Sequence, residues 1–258
     1  MSPIYKLVAS FDKQTIKMKL YKYFPDNVNS FKSLSVRGLW CHYPKKMNDP
    51  ADCLGYLDRD FSPEDIKIFK KYISKSNDAD IKRIVNFSDD KIISFFNIQR
   101  KELIEKYAFC SLSETFDDIL MWSHYATSHT GFVIEFDFED SKIDHHFQKI
   151  NYTDILPKLD VTKIAQFMYG KDENLYYFLE DISLKAKVWR SEKEWRIWRS
   201  KPCYYHYEGK NIKNIYFGVN TSLETKAIVA KLAGELNKEV LFHFMEFSQN
   251  PVKLVFKS

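Results

Sequence analysis

The sequence predicts an α+β fold, a mainly antiparallel sheet that could be split, with flanking helices and a helical insertion. Three observations carry this reading. Strand-like and helix-like segments alternate irregularly along the chain. Residues 62–107 read as helical with interruptions, set between strand-like stretches. Aromatic residues make up 16% of the chain, with Phe and Tyr dominating, which favours sheets. At 258 residues the chain is long enough for one large domain or two small ones. No repeat, low-complexity tract or Gly/Ser/Pro linker interrupts it, so 1–258 is read as a single domain with a mostly helical insertion at about 62–107.

Taken in order, MKLYKYF at 18–24 alternates Leu20, Lys22 and Phe24 against Lys19, Tyr21 and Tyr23, the two-residue period of a strand. GLWCHY is a second strand, followed by a loop with Asn48-Asp49-Pro50 as its turn. Ser62-Pro63-Glu64-Asp65 opens the helical region with Pro in the first turn and acids near the N-terminus. YAFCSLS then reads as a strand leading into a helix, FDDILMWSHYATSH. In GFVIEFDF, Phe132, Ile134, Phe136 and Phe138 face one way and Val133, Glu135 and Asp137 the other; Gly131 allows the sharp change of direction before it. QKINYT is a further strand, 160–187 is helical with an interruption near Gly170, and EKEWRIW is a strand. NIKNIYFG, the helix LETKAIVAKLAGEL and the strands VLFHFMEF and VKLVFK complete the pattern.

Composition excludes several classes. Glycine is scarce, and neither GxGxxG nor a Walker-type GK[ST] is found, which argues against those two modes of nucleotide binding. The four cysteines, Cys41, Cys53, Cys110 and Cys203, are far apart and form no CxxC, so they read as reduced thiols rather than a disulfide framework or a zinc site. No apolar run approaches the ~20 residues of a membrane span and no secretory segment is seen, so the expectation is a cytoplasmic protein without a membrane partner. The net charge of +4 is uneven: 23 Lys/Arg against 24 Asp/Glu in residues 1–160, and 16 against 11 from 161 onward. A basic C-terminal part suits an anionic partner, nucleic acid or a dinucleotide, as well as an ordinary solvated surface.

Four blocks concentrate polar groups. Asn48-Asp49-Pro50 with Asp52 is either a turn whose side chains cap backbone amides or a holder of a ribose or base edge. In the helix around MWSHYATSH, 100° per residue puts Asp118, Trp122, Tyr125 and His129 on one face, which is core or the wall of a pocket. His124 and His129 are five apart and do not form a zinc helix; His145-His146 reads as surface. Ser111-Leu-Ser113 ends a strand with two hydroxyls on one side, to cap the next helix or to orient a ligand. In WRSEKEWRIW, an extended chain would put Glu192, Glu194, Arg196 and Trp198 on one face, the two carboxylates roughly 7 Å apart and Arg196 keeping one ionised. Such a strand is either a solvated edge with structural ion pairs or a site in which two acids divide labour.

Together LYKYF, LW with MNDPAD, FCSLSE, MWSHYATSHTGFVIEFD, WRSEKEWRI and IKNIYFG resemble the hallmark blocks of the bacterial domain-of-unknown-function family 2971 over roughly residues 18–220. That likeness implies no activity. A second resemblance is to arginine-directed ADP-ribosyltransferases, which carry a basic residue on an early strand, a Ser-x-Ser strand and a Glu-x-Glu. Here Lys22, Ser111-Leu-Ser113 and Glu192-Lys-Glu194 fall in that order, although the early base is Lys and the intervals are long. This resemblance implies NAD as co-substrate, with no metal, and a protein or nucleic-acid acceptor. It implies that Glu194 binds the ribose and supports the positive charge of the reacting sugar, and that Glu192 orients or deprotonates the acceptor. Lys22 would face the pyrophosphate, and Trp122, Tyr125 or Tyr21 would stack on nicotinamide. By analogy such an enzyme serves a toxin or antiviral defence system, with a regulatory protein partner. Two alternatives stand beside it: a non-catalytic module that binds nucleic acid or protein, with EKEWR as an ion-paired strand, and a metal-dependent nuclease using Asp49, Asp52, Glu192 and Glu194.

Overall fold

The computed structural model describes residues 18–47, 57–138, 147–163, 165, 180 and 182–257. The chain divides into two compact units: Asp12–His42 with Ala108–Lys149 and Val188–Ser258, and Met1–Phe11 with Tyr43–Tyr107 and Ile150–Lys187.

The first unit carries the large sheet. Its strands are β1 (Lys19–Phe24), β3 (Ala108–Ser113), β4 (Phe132–Asp137), β5 (Phe147–Lys149), β8 (Glu194–Arg199), β10 (Ile212–Phe217), β11 (Leu241–Gln249) and β12 (Val252–Lys257), in the order β12-β11-β10-β4-β1-β3-β8-β5. A separate pair joins β2 (Gly38–Cys41) to β9 (Cys203–His206), and α1 (Val28–Ser35) precedes it, capped by the Asn27 side chain. Every pairing in the large sheet is antiparallel except β10 with β11, where α6 (Leu223–Leu236) supplies the long crossover that parallel neighbours require. β1 pairs with β4 at six positions but with β3 at one, Tyr21 with Ser113. The fold is therefore α+β, with one continuous, mostly antiparallel eight-stranded sheet rather than a split one.

Alternation sorts the side chains. Leu20, Phe24, Cys110, Leu112, Phe132, Ile134, Phe136, Ile197, Ile215 and Phe217 form the main core, each large apolar side chain contributing about 1.5–3 kcal/mol of burial. On the opposite face α5 (Ile119–Tyr125) packs Met121, Trp122 and the following Ala126 against Tyr23, Val133, Tyr216, Met245 and Leu254. Asp118 caps α5 by accepting the Met121 N–H at 3.0 Å. The helix stops at Tyr125, short of the expected His129, because Thr127, Ser128 and His129 are all left-handed, with φ of 47°, 51° and 68°. The reversal is held from outside: the His129 carbonyl accepts from Asn220 N–H at 3.0 Å, and the Gly131 carbonyl accepts from Gly218 N–H at 3.1 Å and Thr221 Oγ1 at 2.7 Å. A Cβ on Gly131 would sit 2.0 Å from the Phe24 carbonyl oxygen, and one on Gly218 2.1 Å from that of His129.

The second unit holds α2 (Pro63–Ile73), α3 (Ala79–Arg83), α4 (Asp89–Ile104) and a parallel pair, β6 (Asn151–Thr153) with β7 (Leu184–Ala186). Ser62 and Asp65 form a reciprocal capping box at the start of α2, with Pro63 in the first turn, as its sequence demands. Ile66, Phe69, Ile73, Ile84, Ile92 and Phe96 share their core with Val161 and Ala165 from a distant stretch. Two corrections follow. QKINYT is not one strand: it breaks after Lys149 and serves two different sheets, and Leu184–Ala186, expected helical, is a strand.

Candidate functional site

The first residues to test are those of the Glu-x-Glu block. β8 begins at Glu194, not before it: Lys187–Glu192 is a 3-10 turn and Lys193 has a φ of 45°. Glu192 and Glu194 are therefore not consecutive positions on one face of a strand, and the spacing expected from strand rise does not apply. Both are nonetheless buried, and each meets a different set of groups.

Glu194 is 2% exposed. Its Oε1 accepts from Ser111 Oγ at 2.6 Å and from Arg196 Nε at 2.7 Å, and its Oε2 from Arg196 Nη2 at 3.2 Å. The fork of Arg196 explains why a carboxylate is tolerated there: a two-pronged, charge-assisted pair is the strongest arrangement available to a buried acid. Arg196 is itself fully buried, and its guanidinium lies 4.1 Å from the centre of the Phe109 ring. Ser111 reaches Glu194 because β3 and β8 pair in register, Ser113 opposite Glu194 and Ser111 opposite Arg196.

Glu192 belongs to the turn. Its Oε1 accepts from Tyr125 Oη at 2.6 Å, and its backbone carbonyl accepts from Ser113 Oγ at 2.6 Å. Ser113 Oγ also accepts the Thr115 N–H at 3.0 Å, so this hydroxyl fastens the turn, whereas Ser111 addresses the acid directly. Glu192, Glu194, Ser111, Ser113, Tyr125 and Arg196 are thus brought together by β3, β8, α5 and one 3-10 turn. An open depression of about 440 Å³ is lined by Thr115, Asp117, Asp118, Ile119, Leu120, Ser191, Lys193, Val252 and Lys253; Ser191 and Lys193 flank Glu192 in sequence, but none of the six residues lines it.

Four residues stand elsewhere. Lys22 leaves β1 on the side of Leu20 and Phe24, opposite to Tyr21, and its ammonium donates to the Ser111 carbonyl at 2.9 Å. It touches the serine strand, but from the face away from Glu194, because side chains one residue apart on a strand point oppositely. Trp122 is fully buried, its Nε1 donating to the Phe116 carbonyl at 2.6 Å and its ring meeting Tyr23 edge-on, so it is core and cannot stack on a ligand. His129 lies parallel to Trp122 at 6.1 Å and its Nε2 is 3.2 Å from Ser123 Oγ. Since Ser123 Oγ donates to the Ile119 carbonyl, it accepts from His129 Nε2–H, which leaves Nδ1 unprotonated and without a hydrogen-bond partner. Burial pushes the His129 pKa down. Tyr21 donates to Glu135, not to any group of the Glu194 cluster. Asn48 and Asp49, with Asp52, Cys53 and His145-His146, lie outside the described residues, and among those described no three His, Cys, Asp or Glu are grouped to hold a metal.

Glu135 was missed by sequence reasoning. It is buried with the hydroxyls of Tyr21 and Tyr216 at 3.3 and 3.2 Å. The signal was present: a lone acid in the middle of the apolar run FVIEF has no reason to be there unless it has partners.

No curated protein and no solved structure matches the chain. Residues 121–197, which run from α5 through the Glu-x-Glu block, match the family model described as a protein of unknown function, DUF2971.

Proposed function

We propose that the chain is an NAD-dependent ADP-ribosyltransferase, with NAD as co-substrate and a protein or nucleic-acid group as acceptor. The observation that supports this best is the short hydrogen bond from Ser111 to Glu194 on adjacent strands, with Glu192 held apart by Tyr125. Ser111 and Arg196 fix the Glu194 carboxylate so that it can accept a hydrogen bond from a ribose hydroxyl and stabilise the positive charge that grows on the sugar. Nicotinamide then leaves with the electron pair of the glycosidic bond, the acceptor nucleophile attacks the same carbon, and its proton passes to Glu192. Glu192 is assigned the role of base because it is a second carboxylate, oriented by Tyr125 and separate from the Glu194–Arg196 pair. Lys22 and Trp122, expected at the pyrophosphate and the nicotinamide, play no part in this reading.

The near-complete burial of Glu194 and Arg196 favours a second reading, in which their ion pair is a structural tether and the chain is a binding module for nucleic acid or protein. One experiment separates the two. Labelled NAD and cell lysate are incubated with the parent, with Glu194→Gln and with Ser111→Ala, each checked by thermal melting to be folded. Label transfer or NAD breakdown that is lost in Glu194→Gln and cut at least tenfold in Ser111→Ala supports the transferase. No turnover by the parent, together with salt-sensitive nucleic-acid binding equal in parent and variants, supports the binding module.

A further inference from the structure

Five side chains stand in one line across the large sheet. Asn214 lies opposite Glu135, Glu135 opposite Tyr21, Tyr21 opposite Ser113 and Ser113 opposite Glu194 on successive strands, so all five leave the same face. Three strand spacings put Glu135 roughly 14 Å from Glu194, too far for the two acids to serve one reacting atom. Glu135 must therefore have its own explanation.

Its carboxylate is only half used. Oε2 accepts from the two tyrosine hydroxyls, Tyr21 and Tyr216. Oε1 is buried with no hydrogen-bond donor placed on it, although the Lys19 ammonium lies 3.1 Å away, off the hydrogen-bonding direction. The Lys19 side chain is 62% exposed and the Glu135 side chain 3%. The buried acid thus lies beneath a lysine that is itself largely exposed. The walls are aromatic: Phe116 stacks on Tyr216 at 4.3 Å and lies 5.3 Å from Tyr21, and His243 stacks on Tyr216 at 4.9 Å. The hydroxyls of Tyr21 and Tyr216 are held firmly protonated by burial and by the neighbouring Glu135, so they remain donors to it. A desolvated carboxylate among ring faces is matched to a weakly hydrated cation, which gains both the charge and the ring quadrupoles. An isolated structural acid needs no such surroundings, and a lysine aimed off the lone pairs of Oε1 is a replaceable partner for that oxygen.

We propose that Glu135, with Tyr21, Phe116 and Tyr216, forms a binding site for an alkyl cation, the guanidinium or ammonium of a side chain from another protein, and that Lys19 is the tethered occupant it displaces. The site is independent of the NAD reading and does not require it.

The test uses the full chain. Butylguanidinium and butylammonium are each titrated into the parent, Lys19→Ala and Lys19→Ala/Glu135→Gln at low salt, followed by calorimetry, with thermal melts to confirm folding. The expected result is saturable binding at least tenfold tighter to Lys19→Ala than to the parent and lost in the double variant; which cation binds tighter identifies the side chain. Equal or non-saturable binding in parent and Lys19→Ala overturns the proposal, as does tight binding that survives Glu135→Gln. Should the double variant fail to fold, the comparison of Lys19→Ala with the parent decides alone.

Discussion

At residue scale the Glu194–Arg196 pair sets the strongest expectation. Removing the acid alone leaves a guanidinium buried without its counter-charge, so Glu194→Ala should lower stability by about 3–5 kcal/mol in urea unfolding. Ser111→Ala removes one charge-assisted hydrogen bond and should cost only about 1.5–3 kcal/mol. That Glu194 and Arg196 share one strand face was legible in the sequence from the two-residue period, whereas their meeting with Ser111 depends on the pairing of β3 with β8. The place of Glu192 was not legible, since nothing in WRSEKEWRIW announces the left-handed Lys193 that takes it off the strand. Histidine protonation supplies a second expectation. Burial holds His129 below its ordinary pKa, so the unfolded chain binds that proton more readily than the folded one. Stability should be full above about pH 6.5 and fall as pH drops below it. Urea midpoints between pH 8 and 5 should show a shallower fall for His129→Gln, the remainder belonging to His243, which is shifted the same way by burial.

Among the elements, α5 and the reversal after it show how a helix can be ended by its neighbours rather than by its own residues. Thr127 and Ser128 carry no signal for left-handed backbone, which costs non-glycine residues roughly 1–2 kcal/mol each; the bonds from Gly218, Asn220 and Thr221 hold it from 90 residues away in sequence. Helical periodicity alone therefore carries the helix on to His129. Gly218→Ala should be poorly tolerated because its Cβ meets a backbone oxygen rather than a yielding side chain. A loss of more than 2 kcal/mol in urea unfolding, or insoluble expression, is expected, whereas Gly234→Ala, inside α6 where a Cβ meets nothing within 4 Å, should gain up to about 1 kcal/mol. The opposite case is α2, whose Ser-Pro-Glu-Asp start was readable because its cap is local. The hydrogen bond from Ser62, ahead of the Lys158 charge, holds Asp65 below the usual carboxylate range. Its stabilisation should be present above about pH 4 and fade in more acid solution. Ser62→Ala should cost about 1 kcal/mol at pH 7 and flatten that acid limb.

For the molecule as a whole, the sequence disclosed the fold class and most strands but not the partition into two compact units. The apolar run of the second unit is assembled from stretches far apart in the chain, and no local pattern records which distant helix supplies Val161 and Ala165. Each core can be probed by itself: Phe69→Ala in one and Phe136→Ala in the other should each lower stability by about 3–5 kcal/mol, with amide exchange accelerated first in the helices around Phe69 and in the strands around Phe136 respectively. The strands of the large sheet were visible from their alternation, whereas their lateral order, with β10 and β11 parallel, depends on long-range pairing that alternation does not encode. The meeting of β1 and β3 at Tyr21 and Ser113 alone carries a mechanical consequence. A ribbon fastened at one rung can open like a pair of shears, with the Lys22 ammonium on the Ser111 carbonyl as the pin, so spreading the blades would loosen the strand that presents Ser111 while each blade keeps its own ladder intact.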